Sequence, residues 1–169
     1  VLSPLMLMLY GLIRVFSPGP AIYRQTRVGY RGQYFWLLKF SSMRLDADKI
    51  GGYQTVEGDT RITPIGRLLR RTSLDELPQL INVLRGDMSL VGPRPDTPMQ
   101  ESRYAPWQWE KRLSVKPGLT GLAQATRRSL ANHDERLSLD FAYIDHHTCL
   151  GDLRILWLTL FQLTGPGTN

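Results

Sequence analysis

The sequence predicts an α+β fold: a small, mostly helical domain that carries one short β-hairpin and is preceded by an apolar helix. Three observations carry this. Residues 21–28 and 33–40 are β-rich runs on either side of Gly29-Tyr30-Arg31-Gly32, the pattern of a hairpin closed by a four-residue turn. From Thr63-Pro64 onward, helical stretches alternate with Pro- and Gly-rich breaks. Residues 1–13 carry no charged side chain, the first being Arg14.

Each element follows from its neighbours. A helix of 13 residues reaches about 20 Å, short of the roughly 30 Å hydrocarbon core of a bilayer. Two readings of this segment stay open: a buried core helix, or the second arm of a membrane-dipping helix. Leu2, Leu5, Met6, Leu7, Met8, Leu9 and Leu12 leave no polar face, which favours the membrane. Ser3-Pro4 marks a break in such a helix, because proline has no amide to donate and crowds the preceding turn. Ser17-Pro18-Gly19-Pro20 stops the segment before the hairpin, and Lys39 falls near the end of the second strand.

Residues 46–59, with Gly51, Gly52 and Gly58, read as a loop. Thr63 then offers an N-cap with Pro64 at the first helical position, opening a helix through Ile65, Leu68 and Leu69 with Arg67, Arg70 and Arg71 alongside. Residues 78–84 form a second helix, ended by Arg85-Gly86-Asp87. Three prolines make 91–98 irregular, 107–113 is helical, 116–121 is a Pro/Gly loop, and 137–144 is helical. Residues 153–163 are apolar nearly all round, as suits a helix in a core or on a membrane surface.

The composition sets limits. A chain of 169 residues suits one compact domain and is short for two, and 42% hydrophobic residues suffice for a core. A net charge of +6 calls for an anionic partner: nucleic acid, anionic lipid or a phosphorylated substrate. The single cysteine, Cys149, rules out an intramolecular disulfide and reads as a small buried hydrophobe.

Asp75-Glu76, in the run Ser73-Leu74-Asp75-Glu76-Leu77-Pro78, is the most informative pair. Ser73 and Glu76 have capping-box spacing, and on that reading the carboxylates only decorate a helix start. Pro78 opposes it, since proline would then sit at the fifth helical position. A helix starting at Asp75 or Glu76 places Pro78 in its first turn and Asp75 at the positive end of the dipole, ionised and nucleophilic, where phosphate also binds. Arg61, Arg67, Arg70, Arg71, Arg85 and Arg94 lie nearby in sequence. Most of these read singly as solvated arginines. Arg94 differs, because Gly92-Pro93-Arg94-Pro95 holds it in a stiff loop short of backbone donors, so any anion there is gripped by the guanidinium. His133, His146 and His147 lack a metal-ligand spacing, and there is no G-x-G-x-x-G, P-loop or G-x-S-x-G. Trp36, Trp107, Trp109 and Trp157 suit either a core or a lipid interface.

These strings together resemble the bacterial sugar transferases, the monotopic phosphoglycosyl transferases that begin exopolysaccharide and O-antigen assembly. The resemblance runs in order through Ser17-Pro18-Gly19-Pro20, Tyr23-Arg24-Gln25, Lys39-Phe40 with Met43, Arg61-Ile62-Thr63, Ile65-Gly66-Arg67, residues 69–80, Asn82-Val83-Leu84, residues 86–95, Val115-Lys116-Pro117-Gly118, residues 120–124, and Leu139-Asp140 with Tyr143. It implies a two-step exchange. Asp75 attacks the β-phosphate of a UDP-sugar and expels UMP, and polyprenol (undecaprenyl) phosphate then takes the phosphosugar from Asp75. It also implies Mg2+ with Asp75 as ligand, Glu76 positioning the site or handling a proton, Lys39 and Arg70 bracing the dyad, and Arg94 and Lys116 holding phosphate.

The same resemblance makes residues 1–16 the second arm of a re-entrant helix bent at Ser3-Pro4, and residues 17–169 a catalytic domain with interfacial helices. The expected place is the cytoplasmic face of the bacterial inner membrane, with homodimerisation left open. Two departures stand out: Ser41 where the family usually has Arg or Lys, and Ala125-Thr126-Arg127-Arg128 in place of Val-Asn-Gly-Arg. The second, near a loop expected to face the substrate, leaves the sugar undetermined. The competing reading is a non-catalytic membrane-surface scaffold, which the basic charge and apolar ends would also suit. Nucleic-acid binding ranks below both, since no reading helix or stacking platform is visible.

Overall fold

In the computed structural model, which describes residues 2–45, 47, 59–127 and 132–164, the strongest stop signals of the sequence do end elements. Helix α1 (Ser3–Phe16) closes immediately before Ser17-Pro18-Gly19-Pro20. Pro4 occupies its first turn, where a missing amide costs no intrahelical bond. Strands β1 (Ile22–Val28) and β2 (Tyr34–Phe40) pair as the predicted hairpin. Its turn is a short 3-10 segment, Tyr30–Gly32, with Gly29 N–H donating to Gln33 O at 2.8 Å. Arg31 and Gly32 have φ of 54° and 77°, the left-handed region that Gly32 adopts without cost.

The chain forms two compact units, one of Val1–Arg24 and Leu38–Pro78, the other of Gln25–Leu37 and Gln79–Thr168. In the first unit, Leu9 and Ile13 of α1 pack with Ala21, Phe40 and Leu69, and Leu5, Met6, Ile22, Ile65, Leu74 and Leu77 surround them. Leu69 comes from α2 (Pro64–Arg71), whose cap is the one the sequence predicts: Thr63 Oγ1 accepts from Gly66 N–H at 3.0 Å. An antiparallel bridge between Met43 and Ile62 brings the chain alongside α2. Gly66 lies so close to Ser42 that a Cβ there would stand 1.9 Å from the Ser42 carbonyl oxygen.

The second unit contains α3 (Gln79–Arg85), β3 (Ser89–Val91), a 3-10 segment Pro98–Arg103, α4 (Pro106–Leu113), β4 (Gly118–Thr120), α5 (Leu122–Arg127), α6 (His133–His146) and α7 (Cys149–Thr164). Its core joins Val91, Ala125, Tyr143 and Ile155 with Leu122, Ile144, Leu156 and Leu158. β3 and β4 pair in parallel, Ser89 opposite Gly118 and Val91 opposite Thr120. β4 lies within the Pro/Gly loop expected over 116–121, since a three-residue strand displays no period. Helix α6 starts before the expected 137, since Asn132 caps it by accepting from Glu135 N–H at 2.8 Å. Cys149 is exposed at the start of α7 rather than buried. The loop expected over 46–59 lies outside the described residues except for Ala47 and Asp59. Among the described residues, no helix is long and apolar enough to cross a membrane.

Candidate active site

The dyad sits on a one-turn 3-10 segment, Leu74–Glu76, and not at the start of an α-helix. Glu76 N–H donates to Ser73 O and Leu77 N–H to Leu74 O, at 3.2 and 3.3 Å. Pro78 has no amide to continue the series, so α3 begins only at Gln79. Ser73 has φ 54° and makes no side-chain cap bond. The capping box therefore does not form, and the turn that carries Asp75 precedes α3 instead of opening it.

Burial and cations define the site instead. Asp75 is only 7% exposed. Glu76 accepts from Lys39 Nζ at 3.0 Å, with both side chains about a fifth exposed, 22% and 19%. Lys39 reaches it from β2, 37 residues away in sequence. Arg70, in the last turn of α2, donates from Nε to Ser42 Oγ at 2.9 Å. Burial pulls the Arg70 guanidinium below its ordinary value, while Asp75, Asp59 and Glu76 attract its charge. Lys39 and Arg70 are thus brought to Asp75 and Glu76 within the first unit. Asp59 and Arg61 form a further pair there at 2.7 Å, and Arg61 beside it holds the Asp59 carboxyl down at about 2.

Arg94 and Lys116 belong to the second unit. Arg94 is half-buried, and the loop that carries it is pinned at four successive carbonyls. Pro93 O accepts from Gly118 N–H (2.9 Å), Arg94 O from Arg112 Nη2 (2.9 Å), Pro95 O from Arg27 Nη1 (2.7 Å) and Asp96 O from Val28 N–H (2.9 Å). The rigidity inferred from its prolines thus has a concrete source. Lys116 is exposed and lines an open groove of about 380 Å³ together with Val83, Met88, Leu90, Asp152 and Leu156.

One cluster in the second unit has no local signature in the sequence. Arg112, 5% exposed, pairs with Asp140 through Nη1 and with Asp96 through Nη2 at 2.9 Å. Tyr104 donates its hydroxyl to Asp96 at 2.9 Å, and burial pushes that phenol up to about 12. An arginine in Trp-Glu-Lys-Arg-Leu carries no local sign of burial. Asp140 stands out in the sequence only through the family resemblance.

A buried aspartate, a glutamate tied to a lysine and an arginine drawn toward both form a site suited to handling phosphate, where an anionic group must approach another anion between cations. Residues 1–165 match the bacterial sugar transferase family, and the chain belongs to it. Among similar proteins, the galactosyl transferase CpsE of Streptococcus agalactiae is 43% identical over 183 residues, covering 96% of this chain and 40% of that protein. A UDP-glucose:undecaprenyl-phosphate glucose-1-phosphate transferase of Caulobacter vibrioides is 42% identical, over 95% of this chain and 63% of that protein. A protein of the same description from Escherichia coli K12 is 39% identical, over 96% and 36%. The chain thus spans between 36% and 63% of the length of these relatives.

Proposed function

We propose that the chain transfers a sugar-1-phosphate from a UDP-sugar to polyprenol phosphate at the cytoplasmic face of the bacterial inner membrane, releasing UMP and starting glycan assembly. The observation that carries this reading is Asp75, a carboxylate 7% exposed and close to cationic side chains, in a chain of this family. A buried carboxylate among cations is suited to attack on phosphorus, because the cations offset the repulsion between two anions.

In the first step an Asp75 carboxylate oxygen bonds to the β-phosphorus. The bond from that phosphorus to the bridging oxygen breaks, and UMP leaves with the electron pair. In the second, a phosphate oxygen of the polyprenol phosphate bonds to the same phosphorus, and the bond to Asp75 breaks, restoring the carboxylate and giving a polyprenyl-diphosphate sugar. Lys39 fixes Glu76 beside the nucleophile, and Glu76 orients the site or takes a proton from the incoming phosphate. Arg70 offsets charge next to Asp75, and Arg94 and Lys116 hold phosphate oxygens.

Among the described residues no three His, Cys, Asp or Glu side chains gather into a metal cage. The adjacent carboxylates of Asp75 and Glu76 nevertheless suit Mg2+, which takes one or two protein carboxylates and completes its shell with phosphate oxygens and water. Asp75 is the ligand on this reading, and the ion would supply charge neutralisation at the diphosphate.

Exposed apolar side chains support the membrane setting. Leu7, Met8, Val15 and Phe16 of α1 and Leu150, Leu153, Trp157, Leu160 and Phe161 of α7 face outward. Residues 1–16 then act as an arm of a re-entrant helix and α7 as an interfacial helix.

The test is UMP release by the detergent-solubilised protein with undecaprenyl phosphate, magnesium and a panel of UDP-glucose, UDP-galactose and UDP-N-acetylated hexoses. At least one sugar should turn over, and Asp75→Asn should lower kcat by about 10³-fold or more. No turnover with any of them, or undiminished turnover by Asp75→Asn, would overturn the reading.

A further inference from the structure

We propose that Arg112 is a positioning residue for Arg94, setting the geometry with which Arg94 meets a diphosphate. The inference rests on reading Arg94 as a phosphate ligand, and extends it to a residue two elements away in sequence.

Pro93 and Pro95 remove the amides on either side of Arg94, so the loop cannot fold upon its own hydrogen bonds. Its shape must be imposed from outside. The Arg112 guanidinium meets that need in a way a lone ion pair would not. Its Nη2 donates both to Asp96 Oδ2 and to the main-chain carbonyl of Arg94, each at 2.9 Å, while Nη1 engages Asp140. One planar group therefore ties the carbonyl of Arg94 and the side chain two residues further on to α6, which carries Asp140.

The charges close locally. Arg136 reaches Asp96 Oδ1 at 3.3 Å and lies 3.9 Å from Asp140. Two arginines thus face two aspartates, and no net charge is buried. Tyr104 completes the enclosure, with its hydroxyl on Asp96 and its ring 5.2 Å from the Arg112 guanidinium carbon. Lysine could preserve the charge of Arg112 but not the arrangement, since a single ammonium cannot reproduce a fork that serves three acceptors in fixed directions. Placement of a binding group to within an ångström matters for a charge-assisted phosphate contact. Anything that slackens the Arg94 carbonyl should therefore be felt at the diphosphate.

The experiment measures UDP affinity calorimetrically, with magnesium present, for the full chain carrying Arg94→Ala, Arg112→Lys or both, and thermal unfolding of each. Arg94→Ala and Arg112→Lys should each weaken UDP binding by about tenfold. If Arg112 acts through Arg94, the double variant should bind within about twofold of Arg94→Ala. A purely structural role predicts instead that Arg112→Lys lowers the melting temperature with UDP affinity intact. That result, or losses that multiply in the double variant, overturns the proposal. Should Arg94→Ala bind UDP normally, the phosphate role of Arg94 falls and this inference with it, while turnover by wild type in the UMP assay would leave the transferase reading standing. If Arg112→Lys does not fold, Tyr104→Phe takes its place. It should weaken UDP binding about threefold in the wild-type background and not at all beside Arg94→Ala, and equal losses in both backgrounds refute the proposal.

Discussion

Replacing Gly66 with alanine sets two physical effects against each other. Gly66 lies inside α2, where alanine is the better helix former by about 1 kcal/mol, so intrinsic propensity predicts stabilisation. The packing predicts the reverse. The new Cβ would stand 1.9 Å from the Ser42 carbonyl oxygen and 2.6 Å from its carbon, whereas ordinary contact begins at 3.4 Å. About 1.5 Å of separation must therefore open between α2 and the Ser42 segment. Ser42 cannot swing aside cheaply, because its carbonyl accepts from Thr63 N–H at 3.0 Å and its hydroxyl accepts from Arg70 Nε at 2.9 Å. Forcing the seam apart costs about 1–3 kcal/mol of overpacking strain and roughly 1 kcal/mol for a weakened hydrogen bond, which outweighs the propensity gain. A net loss of about 2 kcal/mol corresponds to a fall in Tm of roughly 4–8 °C for a chain of this size. Arg70 rides on the displaced helix, so UMP release measured well below the new Tm should drop by about 10²-fold, as a misplacement of an ångström can produce. Thermal unfolding decides the matter: a Gly66→Ala protein as stable as wild type, or more stable, would show that the α2–Ser42 contact is not close enough to govern the site.

Two further outcomes test the surrounding framework. Thr63→Ala removes the cap on Gly66 N–H and should cost about 1 kcal/mol, seen as a lower urea midpoint, while Thr63→Ser should retain most of it. An unchanged midpoint in Thr63→Ala would mean that the cap contributes nothing. The Tyr104 phenol is raised from 10.0 to about 12, chiefly by burial. Its stabilising contribution is therefore fully present below pH 10 and is lost as pH rises toward 12. Urea midpoints at pH 9 and 11.5 should fall further for wild type than for Tyr104→Phe, and equal falls would refute the assignment.

Local signals account for what the sequence revealed of the fold, and distance accounts for what it hid. Thr63-Pro64 announced α2 because a cap and its helix are adjacent in the chain, and Gly29 to Gly32 announced the hairpin for the same reason. Pro78 signals the direction of the helix shift but not its extent. It does displace the α-helix from Ser73, yet by withholding its amide it pushes the start to Gln79 and leaves the dyad on a 3-10 turn. The left-handed Ser73 that permits this turn has no signature in composition. Lys39 and Glu76 are 37 residues apart, and spacing gives no sign of their pairing; the family resemblance sets Lys39 beside the dyad without naming its partner. Arg112 stayed hidden because a charged residue in a short helix reads as a solvated one. Its burial is decided by Asp96 and Asp140, 16 and 28 residues distant.

The glycines of the Arg94 and Lys116 strings explain why those strings take the form they do. A Cβ on Gly92 would lie 2.5 Å from Lys116 O, one on Gly118 would lie 2.1 Å from Gly92 N, and one on Gly121 would lie 2.2 Å from Gly92 O. Two backbones therefore touch where β3 leads into the Arg94 loop and Lys116-Pro117 leads into β4. None of these three glycines has a positive φ, so what the position demands is close approach and not conformational freedom. The contact lets Gly92 N–H donate to Thr120 O at 2.9 Å and Gly118 N–H to Pro93 O at 2.9 Å. Those bonds fix the backbone that carries Arg94 against the backbone that follows Lys116. A side chain at any of the three positions would part the strands, loosening both cations together. The parallel pair of three-residue strands, too small to contribute much to stability, makes sense as the joint that aligns two phosphate-binding candidates.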